Sequence, residues 1–384
     1  MEKRSELLTV ILFCVIVGVL AVLFVALPDR DFSEQENRAL AEAPKLDKES
    51  FFSGEFGKET NVYFADQFPF RDQFVKLKSA TELGFFKKEN NGVLYSYDQL
   101  AVRDFNAYRS RIHISENTDR LYPETIKAQL GSVEKLGQSL EIPLVTVIPP
   151  RTVDVADSVF DYDRPDGDIA FELMNETLSE KAGYIDTLSL LREKYESGEY
   201  VSYRTDHHWT TLGAYYVYCE IMKELGVEDK IIPKEEFEIE QIEDFSGTTA
   251  ARANFPFYKK DVLELWHLPD DGEYKIIADG EELSGFYSRE YLESSDKYSV
   301  FIDGTHNKTE ITKSGGERKT LLIAKDSFAN SLIPFLAREF DIIALNLQGN
   351  TMLSLAVAEY DPAAVLIVYN TENLITTGSL GNVK

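Results

Sequence analysis

Cysteine is nearly absent from this 384-residue chain, which has only Cys14 and Cys219. The first lies in a long apolar run and the second in a predicted helix, so no intramolecular disulfide is expected. Basic charge is also scarce: 40 Lys and Arg stand against 66 Asp and Glu, for a formal charge of −26. Phosphate binding needs a basic face whose counterion release drives association, so nucleic acid is not an expected partner. Histidine is rare as well, at five residues, and internal repeats and low-complexity tracts are lacking. What is plentiful is apolar material, 43% of the chain, enough to bury one full core and room for a second, which excludes disorder.

The longest apolar run, Leu7 to Leu27, carries no charge for 21 residues. At about 1.5 Å per helical residue it spans a hydrocarbon core of roughly 30 Å, so it reads as one transmembrane helix. Lys3 and Arg4 precede it and Asp29 and Asp31 follow it. The positive-inside rule then places the N-terminus in the cytoplasm and everything after about Pro28 outside. A cleaved signal peptide is the alternative; the length of the run and the poor cleavage site at Val25-Ala-Leu-Pro-Asp29 speak against it. Cys14 lacks the small residues that precede a lipidated cysteine.

Beyond the anchor the texture alternates. Phe32 to Leu46 is polar and broken by Pro44, a linker off the membrane. Helical spacing follows over Pro69–Phe85, then two short strands around Val93 and Leu100, then a helix over Pro123–Leu140. Pro143-Leu-Val-Thr-Val-Ile148 is a buried strand closed by Pro149-Pro150-Arg151, the start of an α/β unit with a parallel sheet. The alternation continues through predicted strands at Gly183–Asp186 and Tyr200–Tyr203 and helices at Leu188–Tyr195 and Thr211–Leu225. From Val227 to Lys313 the chain is acidic, rich in short β runs and turn pairs, and reads as a β-rich insertion or lid. Strands at Thr320–Ala324, Asp341–Leu345 and Ala364–Tyr369, with helices at Ala329–Phe340 and Thr351–Tyr360, resume the α/β pattern. The expected division is 1–28 stub and anchor, 29–50 linker, 51–226 first part of the α/β domain, 227–313 insertion, and 314–384 second part.

Reactive residues gather where open α/β sheets present ligands, at strand ends. In Arg204-Thr-Asp-His-His-Trp-Thr210, Asp206 and His208 lie two apart, so the carboxylate can orient the imidazole as a general base. His207 points differently from His208 in regular backbone. The second block is Ala324-Lys-Asp-Ser-Phe328, which sets Ser327 on a strand-to-helix elbow with its N–H at the positive end of a helix, as an oxyanion hole requires. Serine is a weak nucleophile and needs a base; His208 is a better candidate than His113, His267 or His306. Gly304 and Asn370 are further oxyanion donors by type. Plainer readings stand beside these: Asp326 or Ser327 as a helix cap, the histidines as buried structural groups, and Gly304 and Asn370 as turn residues. Metal binding by Asp206 and the histidines would need further ligands, and no second His or Cys cluster supplies them.

The block Thr205-Asp-His-His-Trp-Thr210 resembles the DHHW protein family. With Lys325-Asp-Ser-Phe328 it is similar to the wider set of SGNH-hydrolase-like proteins that O-acetylate alginate and related exopolysaccharides. The likeness extends over Ser33–Arg38, Tyr63–Arg71 and Asn91–Leu94, and so over most of the chain after Phe32. It implies a three-layer α/β/α fold in permuted motif order, with Ser327 as nucleophile, His208 as base and Asp206 orienting it. His207, Trp209, Arg151 and Tyr298 are candidates to line the substrate cleft. The implied activity is acetyl transfer to a polysaccharide outside the membrane, without a cofactor, from a membrane-bound O-acyltransferase as acetyl donor. An acetyl esterase and a non-catalytic glycan-binding or scaffold protein are the alternatives. Where relatives carry an acidic and a basic residue after the Asp341 strand, this chain has Asn346-Leu-Gln348, which alters the polar rim of the cleft.

Overall fold

Consecutive side chains of the strand Thr320–Lys325 enter different cores: Leu321 and Ile323 one, Leu322 and Ala324 the other. Side chains alternate across a strand, so a continuous apolar run means a sheet covered on both faces. The helix Thr211–Glu224 packs into the first core, and the helices Thr118–Ser139 and Leu353–Tyr360 into the second. The result is the expected three-layer α/β/α arrangement. The structure, a computed structural model, describes residues 2–33, 38–102, 118–160, 165–347 and 352–383. His113, Gln348, Thr351 and the linker residues Glu34 to Asn37 lie outside the described residues.

The sheet has eight strands in the spatial order Glu281–Glu282, Tyr274–Ala278, Lys308–Lys313, Asp341–Asn346, Thr320–Lys325, Ala364–Val368, Leu144–Val147 and Tyr184–Ile185. The last five run parallel and the first three pair antiparallel along one edge. After Thr320–Lys325 the chain adds Asp341–Asn346 on one side and then Ala364–Val368 on the other. The carboxyl end of the Thr320 strand is thus a topological switch point, where such sheets open a crevice.

Three expectations change. Part of the segment 227–313 is not a separate insertion, because its strands Tyr274–Ala278 and Lys308–Lys313 extend the central sheet; its other hairpin pairs Glu238–Phe245 with Asp261–His267. Tyr200–Tyr203 is no strand. It folds back on its own loop, with a single bridge from Ser202 to Trp209 and the Thr210 N–H donating to the Val201 carbonyl at 3.0 Å. The helix expected from Ala329 is a 3₁₀ turn over Ser327–Ser331 followed by a short helix Ile333–Leu336. Pro334 has no N–H to continue the earlier turn and is suited to a helix start.

Contacts divide the chain near Lys87 and not at residue 51: residues 1–87 with 254–256 form one unit, and 88–253 with 257–384 the other. Among its described residues the first unit is mainly helical, with one short antiparallel pair, Phe32–Ser33 with Arg38–Ala39. Its helices are an N-terminal one, Glu2–Ala26, and then Lys48–Ser53, Glu55–Asp66 and Arg71–Gly84. The stretch Arg4–Ala26 is long and apolar enough to cross a membrane. Asp47 opens the second helix with a capping box, and Gly54, at φ +77°, lets the third start at once. The expected linker is partly tied down, because Arg38 grips Asp66 bidentately at 2.9 and 2.6 Å.

Candidate active site

The Asp-His-His-Trp loop is held from below by a buried carboxylate. Asp261 accepts the Arg204 and Thr205 N–H groups, both at 2.8 Å, and the hydroxyls of Thr205 and Tyr200. At the far end Thr210 caps the following helix by accepting from the Gly213 N–H at 3.1 Å. Gly213 has to be glycine, since a Cβ there would meet the Val201 carbonyl oxygen at 2.4 Å. Asp206 is buried at the centre of this frame. Its Oδ1 accepts from His208 Nδ1 at 2.6 Å and from the His208 backbone N–H at 3.0 Å. Its Oδ2 accepts from the Thr248 N–H and hydroxyl at 2.8 and 2.9 Å. Burial disfavours the charge on Asp206, yet His207, His208 and these donors hold its pKa below the ordinary value. Gly247 permits this approach, because a Cβ would lie 2.3 Å from the Asp206 side chain.

These bonds assign both imidazole tautomers. Asp206 can only accept, so His208 carries its proton on Nδ1 and presents a lone pair at Nε2. That lone pair lies 2.8 Å from Ser327 Oγ. The Thr248 hydroxyl donates to Asp206, so its contact of 2.8 Å with His207 Nδ1 makes His207 the donor there. Burial and the neighbouring His208 lower the His207 pKa against the pull of Asp206. Ser327 opens the 3₁₀ turn after Thr320–Lys325, at the switch point. The cap is Asp326, which accepts the Phe328 N–H at 3.0 Å and three further donors from Asn370 and Asn373. Ser327 is thereby free of capping, its hydroxyl facing His208 and its N–H without a hydrogen-bonded partner among the described residues.

The remaining expected residues divide. Arg151, His207 and Asn370 line a cleft with Thr249, Phe328 and Glu372. Arg151 is itself paired with Asp154, at 2.7 and 2.8 Å. Trp209 and Tyr298 do not line it. Trp209 is buried and donates from Nε1 to Ser331 Oγ at 3.0 Å, tying the histidine loop to the serine turn. Tyr298 lies flat against the His208 ring, 3.7 Å between centroids and 8° between planes, its hydroxyl 3.1 Å from Ser331 Oγ. It fixes the plane of the base. Gly304 is corrected to a structural turn, since its N–H donates to the Phe301 carbonyl at 3.1 Å and its own carbonyl accepts from Asn330. Asn370 is likewise engaged: its N–H and carboxamide both donate to Asp326 Oδ2 at 2.7 Å. Asp206, His207 and His208 bring potential metal-ligand atoms within 4.8 Å of one another. Both Asp206 oxygens and the His208 Nε2 are, however, committed to the hydrogen bonds above.

Sequence reasoning missed Thr248 and Glu372. The signal for Thr248 is the small, hydroxyl-rich run Ser246-Gly-Thr-Thr249 inside an acidic β segment. Glu372 lies in the first turn of the helix Thr371–Thr376, where burial raises its carboxyl pKa against the pull of His207, Arg252 and Arg151. Thr248→Val removes one of the two donors to Asp206 Oδ2 and the acceptor of His207. A hydrogen bond to a charged group is worth about 1.5–3 kcal/mol, so kcat is expected to fall roughly tenfold or more with little loss of binding. Steady-state kinetics check this; an unchanged kcat would remove Thr248 from the relay.

Lys325, next to the site, is buried and donates from Nζ to Asn330 Oδ1 at 2.7 Å, and Asn330 in turn holds Gly304. Burial lowers its pKa from 10.5 to about 8, with Asp326 opposing. Between those values the unfolded chain binds more protons than the folded one, so this residue makes stability rise as pH increases. Relative to Lys325→Met, the wild type is expected to gain on the order of 3 kcal/mol across that window. Denaturation of detergent-solubilised protein at both ends measures it; parallel pH profiles would mean that Lys325 keeps its proton in the folded state and would refute the lowered pKa.

Residues 166–345 match the DHHW protein family, a span that includes Asp206, His208 and Ser327. A DHHW family protein from Eubacterium siraeum is 17% identical with a TM-score of 0.56, over 77% of this chain and 95% of that one. PatB1 from Bacillus cereus, solved with a sulfonyl adduct, is 18% identical with a TM-score of 0.56, over 67% of this chain and 92% of that one. A more distant likeness is the O-acetyltransferase domain of Pseudomonas putida AlgJ, 15% identical with a TM-score of 0.43 over 76% and 99% of the two chains. No curated protein matches the chain significantly.

Proposed function

We propose that the protein transfers acetyl groups to a polysaccharide outside the membrane, through an acetyl-Ser327 intermediate. The observation that carries this reading is the relay Asp206–His208–Ser327, closed at 2.6 and 2.8 Å at the carboxyl end of a central strand and beside a cleft. Ser327 Oγ attacks the acetyl carbonyl as its proton passes to His208 Nε2, and Asp206 stabilises the imidazolium. The oxyanion forms against the Ser327 N–H. Collapse expels the donor's leaving group with the proton from His208. A sugar hydroxyl then attacks the acetyl-serine, gives its proton to His208 and leaves as the ester, and Ser327 recovers its proton. Water in place of the sugar makes the same residues an esterase.

The cleft beside the relay is lined by apolar and polar side chains together, among them Phe328, His207 and Arg151. Its cation Arg151 is neutralised by Asp154, and Glu372 stands beside it. Together with the overall charge of −26 this favours a neutral glycan, held by hydrogen bonds and aromatic contacts. An anchor with the catalytic part outside calls for a membrane-bound O-acyltransferase to bring acetyl across, because activated acetyl is made in the cytoplasm. The test is to offer a soluble acetyl ester with and without a neutral oligosaccharide, and to look by mass spectrometry for acetyl on Ser327. Acetyl-Ser327 and acetylated sugar support the transferase; adduct with release to water alone supports the esterase. No adduct and no turnover would overturn both and leave a glycan-binding role.

A further inference from the structure

Between Lys48 and Lys88 the chain departs from its own composition. Nine of its 24 Phe fall in this stretch, and seven basic residues there face six acidic ones, while the whole chain is at −26. The segment forms helices, yet the rings are not packed away: Phe52 is 84% exposed, Phe85 80% and Phe86 88%. Phe74 and Leu77, both exposed, lie three apart in Arg71–Gly84 and so share one face, and Phe70 just before the helix is exposed as well. Phe51 and Phe64 are exposed too. Apolar exposure on this scale marks an interaction surface.

The same unit contains the apolar N-terminal helix, and one contact sets the level of the others against it. Phe24, near the end of that helix, stacks on Phe64 of Glu55–Asp66 at 4.7 Å and 15°, and meets Tyr63 edge-on at 5.9 Å. The Tyr63 hydroxyl donates to Asp29, the first charge after the apolar run, at 2.9 Å. The helix Glu55–Asp66 is thus fastened where hydrocarbon gives way to water, the depth at which aromatic side chains and amphipathic helices settle.

We infer that the helices between Lys48 and Gly84, with Phe85 and Phe86, lie in the headgroup region of the bilayer that the N-terminal helix enters. The occupant of the exposed face is lipid. This rests on reading that helix as a membrane span. A near-neutral charge balance lets the segment approach a lipid surface that the rest of so acidic a chain would avoid.

The test uses the full chain in phosphatidylcholine–phosphatidylglycerol vesicles, with nitroxide labels on single cysteines and collision with oxygen compared with a water-soluble nickel chelate. Cys14 alone, in Cys219→Ser, reports the span. Phe52→Cys, Phe74→Cys and Phe86→Cys, each in a background of Cys14→Ser and Cys219→Ser, report the surface, and Lys275→Cys gives the aqueous reference. Cys14 should read deepest, and the three Phe positions should favour oxygen about threefold or more over Lys275. Phe positions that match Lys275 while Cys14 reads lipid would overturn the surface alone. A water-like Cys14 would overturn the anchor and the surface with it. Shielding from both reagents, or broadening between labels, would assign the face to a second copy of the chain and overturn the lipid assignment.

Discussion

Ser327→Ala is expected to abolish acetyl-ester turnover, with kcat lowered by roughly 10⁴-fold or more, and to leave the fold intact. The first half follows from the proposed chemistry: without Oγ no acetyl-enzyme forms, and what survives is whatever binding and the N–H donor can do for direct attack by water. The second half follows from the local structure. The turn that carries Ser327 is capped by Asp326, which holds Phe328, Asn370 and Asn373 through its own carboxylate. Among the described residues the serine hydroxyl has one side-chain partner, His208 Nε2. Its loss costs a hydrogen bond on the order of 1 kcal/mol, which a melting curve registers as a small shift. p-Nitrophenyl acetate hydrolysis with paired melting curves separates the two halves. Turnover within about tenfold of wild type would remove Ser327 as the nucleophile.

The halves of this site were legible to different degrees. Ser327 could be placed because a run of four apolar residues, Leu321 to Ala324, stops at Lys325-Asp-Ser, and strand ends are where such sheets do chemistry. Asp206 and His208 were legible as a local pair. Their meeting with Ser327 across 119 residues follows from the family resemblance and not from the residues alone, since it depends on the order of strands in the sheet and on Trp209 reaching Ser331. Thr248 and Tyr298 gave no periodic signal. Each acts through one atom or one ring face, and both come from a segment whose short β runs looked like an insertion, although Lys308–Lys313 pairs with the Asp341 strand. The misplacement of Gly304 and Asn370 has the same origin. Residue type announces a possible donor, and only the fold shows that Phe301 and Asp326 have already taken it.

Asp206→Asn should fall almost as far as the serine variant, by about 10⁴-fold in kcat, for a reason particular to this loop. The Thr248 N–H and hydroxyl both donate to Oδ2, at 2.8 and 2.9 Å, so the carboxamide of an asparagine must turn its oxygen to that side. Its NH₂ then faces His208 Nδ1 at the position where Oδ1 stood 2.6 Å away. A donor there forces His208 to accept at Nδ1 and to carry its proton on Nε2. The base would point an N–H at Ser327 and could not take the serine proton. The same NH₂ would also confront the His208 backbone N–H, which now donates to Oδ1 at 3.0 Å, so the variant should lose stability as well, on the order of 1–3 kcal/mol. The tautomer is the discriminating observable. Nitrogen-15 shifts of His208 should report protonation at Nδ1 in the wild type and at Nε2 in Asp206→Asn, and an unchanged tautomer with kcat within tenfold would mean that Asp206 supports the loop and not the base.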